Sequence, residues 1–195
     1  MTVVLASSSS ARRRMLEQAG VAALCDAADI DEAAVKRRDG QAAAATIALD
    51  LAELKARAVT ARHPGALVIG SDQMLDCEGE WFDKPESMAE ARSQLARLRG
   101  RTHTLISAVA IVRDDTVLWR HCDSASLTMR PFSDAYREDY LAAAGPDVCR
   151  TVGCYRIEGP GLQLFSRVDG DHFVILGMPL LALLGALRDL GELKS

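Results

Sequence analysis

Val3-Val4-Leu5-Ala6-Ser7-Ser8-Ser9-Ser10-Ala11-Arg12-Arg13-Arg14 sets the fold class. The apolar run at its start reads as a short buried strand, and the four serines end it. Ser10 is placed to cap a helix from Ala11 to about Ala19, with Gly20 just past its end. A strand, a polar loop and a helix N-terminus follow one another within the first 20 residues. Free amides at such a junction favour an anion.

The same alternation continues along the chain. Leu24 to Ile30 reads as a second short strand closed by Asp31-Glu32, and Gln41 to Arg62 as a long alanine-rich helix ended by His63-Pro64-Gly65. Leu67-Val68-Ile69 is a buried strand that delivers Ser71-Asp72-Gln73 at its C-terminal end, and Leu75 to Phe82 is a hairpin turning at Glu78-Gly79. Ser87 caps a helix to about Leu98. Two long strands, Thr102 to Val112 and Val117 to Met129, turn at Asp114-Asp115. Ser133 caps a helix to Ala144, the segment Gly153 to Gly161 is glycine-rich, and a last helix runs from Pro179 to Leu190. No linker divides the chain, so the expectation is one domain over residues 1–195. It is an α/β protein whose mixed sheet is flanked by helices and bent into two lobes around a central cleft.

Composition narrows the function. The 195 residues are 49% hydrophobic and 26% charged, values of an ordinary folded protein. No apolar run approaches the roughly 18 residues of a membrane span, and the N-terminus lacks the basic leader of a signal peptide. No membrane partner is expected. The formal net charge of −4 repels nucleic acid polymers. An anionic ligand therefore needs a local basic cluster and a divalent cation. Cys25, Cys77, Cys122, Cys149 and Cys154 are an odd set without CxxC pairs, which points to buried reduced thiols in a cytoplasmic protein. Only Lys36, Lys55, Lys84 and Lys194 are lysines, against 19 arginines, so an internal Lys stands out.

Several residues can carry chemistry. Arg12, Arg13 and Arg14 oppose the dipole of the first helix. They are either a solvated basic turn or, with the serines beside them, a phosphate site. No GxxxxGK[ST] loop is present. Asp72 follows an apolar strand, where carboxylates of α/β sheets meet ligands, or where an Asp simply starts a turn. Glu32 follows a strand-like segment too. Two such acids converging on one cleft suit Mg²⁺, which prefers oxygen ligands. Lys84 is held extended by Pro85. Lys55 lies deep in the long helix, either snorkelling to solvent or turned inward. The histidines have no HxxxH or HExxH spacing and there is no G-x-S-x-G elbow, which weighs against a zinc hydrolase and a serine esterase.

Eight short pieces in order resemble the Maf family of nucleoside triphosphate pyrophosphatases. They are Leu5-Ala6-Ser7-Ser8-Ser9-Ser10-Ala11-Arg12, Asp31-Glu32, Leu51-Ala52-Glu53-Leu54-Lys55-Ala56, Gly70-Ser71-Asp72-Gln73, Lys84-Pro85, Gly100-Arg101-Thr102-His103, Gly153-Cys154-Tyr155-Arg156-Ile157-Glu158-Gly159 and Gly177-Met178-Pro179-Leu180. The resemblance implies an elongated, inosine-triphosphatase-like α/β fold, a cytoplasmic homodimer, and hydrolysis between the α- and β-phosphates with Mg²⁺ or Mn²⁺. It implies Asp72 as proton acceptor and metal ligand, Glu32 as second metal ligand, and Ser7, Arg12, Lys55 and Lys84 as phosphate-handling groups.

The dTTP/UTP branch of that family carries Arg, Thr and Gln where this chain has Ala11, Gln73 and Glu158. Gln73 with Glu158 resembles the 7-methyl-GTP branch, which has an aromatic residue at the position of Ala11. Guanine presents two adjacent N–H donors that a carboxylate accepts as a pair, whereas the thymine or uracil edge mixes donor and acceptor and suits an amide. The expectation is a nucleoside triphosphate substrate with a guanine-type base. The alternatives are a dTTP/UTP pyrophosphatase and a non-catalytic nucleotide-binding regulator of cell division.

Overall fold

A computed structural model describes residues 2–38 and 42–194. In chain order the elements are β1 (Val3–Leu5), α1 (Ser10–Gln18), β2 (Ala23–Cys25), α2 (Glu32–Arg38), α3 (Ala44–Thr60), β3 (Leu67–Cys77), β4 (Glu80–Phe82) and α4 (Met88–Leu98). They continue as β5 (Thr102–Arg113), β6 (Thr116–Met129), α5 (Asp134–Ala144), β7 (Phe165–Asp169), α6 (His172–Ile175) and α7 (Leu180–Asp189). Among the described residues seven strands form one mixed sheet in the order β2-β1-β3-β5-β6-β7, with β4 paired to β3. No helix among the described residues is long and apolar enough to cross a membrane.

Two compact units share the chain. The first comprises Met1–Gln73, Ile106–Asp123 and Asp171–Ser195, and the second Met74–Leu105 and Ser124–Gly170. In the first unit β1 pairs in parallel with β2 and β3, matching Val3 to Ala23 and to Leu67. Its side chains alternate between two apolar layers. Val3 and Leu5 join Met15, Leu16, Leu67, Ile69, Leu183 and Leu187 on the α1 and α7 side. Val4 and Ala6 join Ala56, Val59 and Val68 on the α3 side. An unbroken apolar strand follows from helices on both faces, and each fully buried Leu or Ile contributes about 1.5–3 kcal/mol.

β3 extends this alternation into polar residues. Leu67 and Ile69 face α1 and α7 while Val68 faces α3, so Gly70 and Asp72 fall on the α3 side and Ser71 and Gln73 on the other. Gly70 has a packing reason. A Cβ there would overlap the Ala52 carbonyl oxygen and lie 2.7 Å from the Ala56 nitrogen, so α3 rests directly on the β3 backbone.

In the second unit Glu78 and Gly79, both at positive φ, make the hairpin turn that pairs Cys77 with Glu80. Ser87 caps α4 by accepting the Glu90 amide, and Ser133 caps α5 by accepting that of Tyr136. Gly153 at φ 75° also needs glycine for space, since a Cβ would lie 2.6 Å from the Tyr155 ring and 2.7 Å from Leu75.

Several boundaries differ from the sequence reading. The α1 cap is Ser9, whose hydroxyl accepts the Arg12 amide, so Ser10 is already helical. The strand expected over Leu24–Ile30 stops at Cys25, and Leu24 is 57% exposed. Gln41, the expected start of the long helix, lies outside the described residues; the helix spans Ala44–Thr60. β3 does not end before Ser71 but continues through Asp72 and Gln73, because the hairpin partner β4 keeps its far end paired. α6 was not foreseen: Asp171 caps this single turn by accepting two amides. Cys77 and Cys154 are buried, but Cys25 at the end of edge strand β2 is exposed, against the expectation of buried thiols throughout.

Candidate active site

Lys55 is on the inner face of α3 in a row with Leu51, Ala52, Ala56 and Val59, the 3.6-residue spacing that turns a side chain toward the sheet. It is 9% exposed. Its Nζ donates to Asp72 Oδ1 at 2.5 Å and pairs with Glu32 Oε1 at 2.8 Å. Glu32 opens α2, where a carboxylate offsets the positive end of the helix. Asp72 is buried on β3, and its Oδ2 has no hydrogen-bond partner. A buried carboxylate oxygen without a donor costs free energy unless something positive or a donor reaches it.

On the opposite face of β3, Arg12 is held by backbone carbonyls. Its Nε donates to Gly177 O at 2.9 Å and its Nη1 to Ser71 O at 2.8 Å, with Ser7 Oγ at 3.5 Å. Burial pulls the Arg12 pKa below the usual guanidinium value, and the charges of Asp72 and Glu32 pull it back up. Ser7 also accepts the Ser9 amide, which shapes the serine turn. Arg13 is exposed and pairs with Glu17 at 3.5 Å, so Arg12 is the arginine of that run drawn into the serine loop.

Gln73 is anchored to protein rather than open on all sides. Its amide nitrogen donates to Ser107 Oγ and to the Val174 and Ile175 carbonyls, each at 3.1 Å, which leaves only its carbonyl oxygen for other donors. The first unit thus brings together Ser7, Arg12, Glu32, Lys55, Asp72 and Gln73. Lys84 and Glu158 belong to the second unit. Lys84 is exposed beside buried Pro85, and Glu158 is exposed in the segment that follows Tyr155.

Residue-type reasoning gave no part to Ser71, Gly70 or the Gly177 carbonyl. Ser71 Oγ donates to Ala108 O and Gly177 O, locking β3 to its neighbours. A glycine inside an apolar strand was the available sign for Gly70. Nothing in residue type marks a backbone carbonyl as an arginine's partner.

In the second unit His103, 1% exposed, bonds through Nε2 to the Tyr155 hydroxyl at 2.8 Å, and Phe165 stands edge-on to Tyr155 at 4.7 Å between ring centroids. His103 Nδ1 is buried and unpartnered. Burial lowers the His103 pKa to about 4 and raises that of Tyr155, so both are neutral at physiological pH.

The sequence matches the family model described as "Maf-like protein" over residues 2–190. The chain belongs to the Maf family. This Maf chain is 55% identical over 192 residues to the "Nucleoside triphosphate pyrophosphatase" of Paramagnetospirillum magneticum, a match covering 97% of this chain and 99% of that one. It is 45% identical over 195 residues to the "7-methyl-GTP pyrophosphatase" of Rhizobium meliloti, covering 99% and 98%. Among solved structures it is similar, at 18% identity and a TM-score of 0.43, to a nucleoside-triphosphatase / dITP/XTP pyrophosphatase from Mycobacterium abscessus, covering 97% and 98% of the two chains.

The acid pair of this Maf chain has the donor chemistry for a divalent ion. Glu32 and Asp72 both supply carboxylate oxygens, and Asp72 Oδ2 is buried without a donor. No group of three or more His, Cys, Asp or Glu side chains gathers as a metal site among the described residues. Two carboxylates suit Mg²⁺ or Mn²⁺, which complete their coordination with water and substrate phosphates.

Proposed function

We propose that this Maf chain, as a nucleoside triphosphate pyrophosphatase, hydrolyses the bond between the α- and β-phosphates to release a nucleoside monophosphate and pyrophosphate. The observation that carries the reading is the buried Asp72 carboxylate, held by Lys55 through one oxygen and left with its other oxygen unpartnered. Such a group accepts a proton from a water molecule without first giving up a hydrogen bond. Glu32 and Asp72 would hold a divalent cation, which when bound neutralises phosphate oxygens and acidifies water.

Positive charge for the phosphates comes from Arg12 and Lys55. Arg12 is pinned by two backbone carbonyls, so its orientation costs nothing further when a phosphate arrives. Ser7 shapes the neighbouring turn, and Lys84 on its stiff Lys-Pro segment adds a further cation for the leaving pyrophosphate. Asp72 takes the water proton while the attacking oxygen joins phosphorus, and the bridging oxygen leaves with pyrophosphate.

For the base, Glu158 accepts the two adjacent N–H donors of guanine, and the positive charge of a 7-methylated guanine adds attraction. The carbonyl oxygen left open on Gln73 is compatible with a donor on the substrate. The cytoplasm as location and a homodimer as working form belong to the same proposal, supported by the unpaired cysteines and by the family resemblance respectively.

Pyrophosphate release is measured from 7-methyl-GTP, GTP, dTTP and UTP with Mg²⁺, with Mn²⁺ and with chelator. Turnover that requires metal and ranks 7-methyl-GTP first is expected. Absence of turnover on every triphosphate overturns the activity, and a dTTP or UTP preference overturns the role of Glu158.

A further inference from the structure

Between the two acids assigned to a divalent cation, the structure already holds a positive charge. Lys55 Nζ stands 2.8 Å from Glu32 Oε1 and 2.5 Å from Asp72 Oδ1. We propose that the Lys55 ammonium is an internal counter-ion for the acid pair, and that divalent-cation binding displaces it from Glu32 so that it turns to a substrate phosphate. This rests on the reading that Glu32 and Asp72 hold the ion.

Asp72 is buried, and a buried carboxylate calls for a positive partner or donors beside it. In the absence of a divalent ion Lys55 fills that need. An ammonium and a divalent ion cannot both sit on the same two carboxylates, because like charges would then face each other within a few ångströms in a partly desolvated site. One contact must yield, and exposure says which. The Glu32 side chain is 47% exposed at the start of a short helix, whereas that of Asp72 is 6% exposed on a paired strand.

The buried Asp72 Oδ2 offers an incoming ion one lone pair, keeps the other for the water proton, and leaves the Oδ1 contact to Lys55 unbroken. Lys55 then keeps Asp72, loses Glu32, and has N–H donors to spend on phosphate. Arg12 cannot make this exchange, since the Gly177 and Ser71 carbonyls hold it in place. Lys55 is the movable charge of the site. The consequence is a divalent ion bound weakly by the free protein and more tightly with nucleotide present, with the reciprocal effect on nucleotide.

Two measurements test this. Free Mn²⁺ is followed by electron paramagnetic resonance as it titrates nucleotide-free protein. Lys55→Met keeps the apolar stem and removes the charge, so it should bind Mn²⁺ at least tenfold more tightly than wild type, while Lys55→Arg should bind no more tightly. The second uses wild type, in case Lys55→Met does not fold: the side-chain ¹⁵N signal of Lys55 should shift as Mg²⁺ saturates the protein. Equal Mn²⁺ affinity in wild type and folded Lys55→Met, or a Lys55 signal unmoved at saturation, overturns the exchange and leaves the metal site standing. If neither protein binds Mn²⁺ even with an α,β-methylene triphosphate analogue, the metal site falls and the exchange with it.

Discussion

Replacing Gly70 with Ala tests whether the contact between α3 and β3 sets the chemistry as well as the fold. The added methyl group would overlap the Ala52 carbonyl oxygen and stand 2.7 Å from the Ala56 nitrogen and 3.0 Å from its Cβ. Those neighbours are helix backbone and an alanine methyl, so no flexible side chain can move aside. The helix must lift by roughly 1 Å or more, and overpacking of this kind costs about 1–3 kcal/mol. Lys55 lies on the same turn as Ala52 and Ala56 and makes its 2.5 Å contact to Asp72 from the lifted segment. A displacement of about 1 Å in a positioned catalytic group can cost about 10²-fold in rate. Thermal unfolding and pyrophosphate release from the same preparation give both numbers. A Gly70→Ala protein with wild-type Tm and wild-type kcat would refute the reasoning. A lowered Tm with unchanged kcat would show that Lys55 reaches Asp72 however the helix sits.

Asp72→Asn should lower kcat by about 10²-fold or more with the fold intact, the usual size of a general-base contribution, and wild-type turnover would assign proton acceptance elsewhere. Glu158→Gln should move the nucleotide ranking from guanine toward uracil or thymine, and an unchanged ranking on the four-substrate panel would remove Glu158 from base reading. His103, with a folded pKa of about 4 against the ordinary 6.5, makes the unfolded chain the better proton binder in between. Stability from this group is therefore complete above about pH 6.5 and falls by about 3 kcal/mol on acidification to about pH 4, a fall that His103→Phe should remove from the Tm-against-pH curve.

The central apolar strands, the Ser87 and Ser133 caps and both hairpin turns were legible because each depends on local chemistry. Val3 to Ala6 is apolar throughout, Ser87 and Ser133 sit where a helix needs an acceptor, and Glu78-Gly79 and Asp114-Asp115 have the residues that tolerate positive φ. The end of β3 was not legible. Ser71-Asp72-Gln73 looks like a loop by residue type, and only its pairing within the sheet keeps it extended. The Ser9 cap was missed because four serines in a row leave the helix start undetermined by type alone. Lys55 could be singled out as a rare lysine among arginines, but its two acid partners come from separate elements. That Asp72 contacts α3 rather than the arginine side follows from counting along β3 from Val68 once the two apolar layers are known. No property of Asp72 itself carries that information.

This counting explains why the two polar neighbours Asp72 and Gln73 meet different surroundings around one strand. Asp72 and Gln73 are neighbours, so strand alternation sends them to opposite faces. Asp72 meets the ammonium of α3, and Gln73 meets the Val174 and Ile175 carbonyls. A slip of β3 by one residue would place the amide against Lys55 and carry the carboxylate away from that ammonium, to the face where the Ala108 and Gly177 carbonyls receive the Ser71 hydroxyl. The pairing of Val3, Val4 and Leu5 with Leu67, Val68 and Ile69 opposes that slip through the core. Gly70 opposes it again, because any other β3 residue brought under Ala52 would carry a Cβ into the helix backbone. The residue that lets α3 approach closely enough for Lys55 to reach Asp72 is thus also one that prevents the strand from offering the wrong side chain.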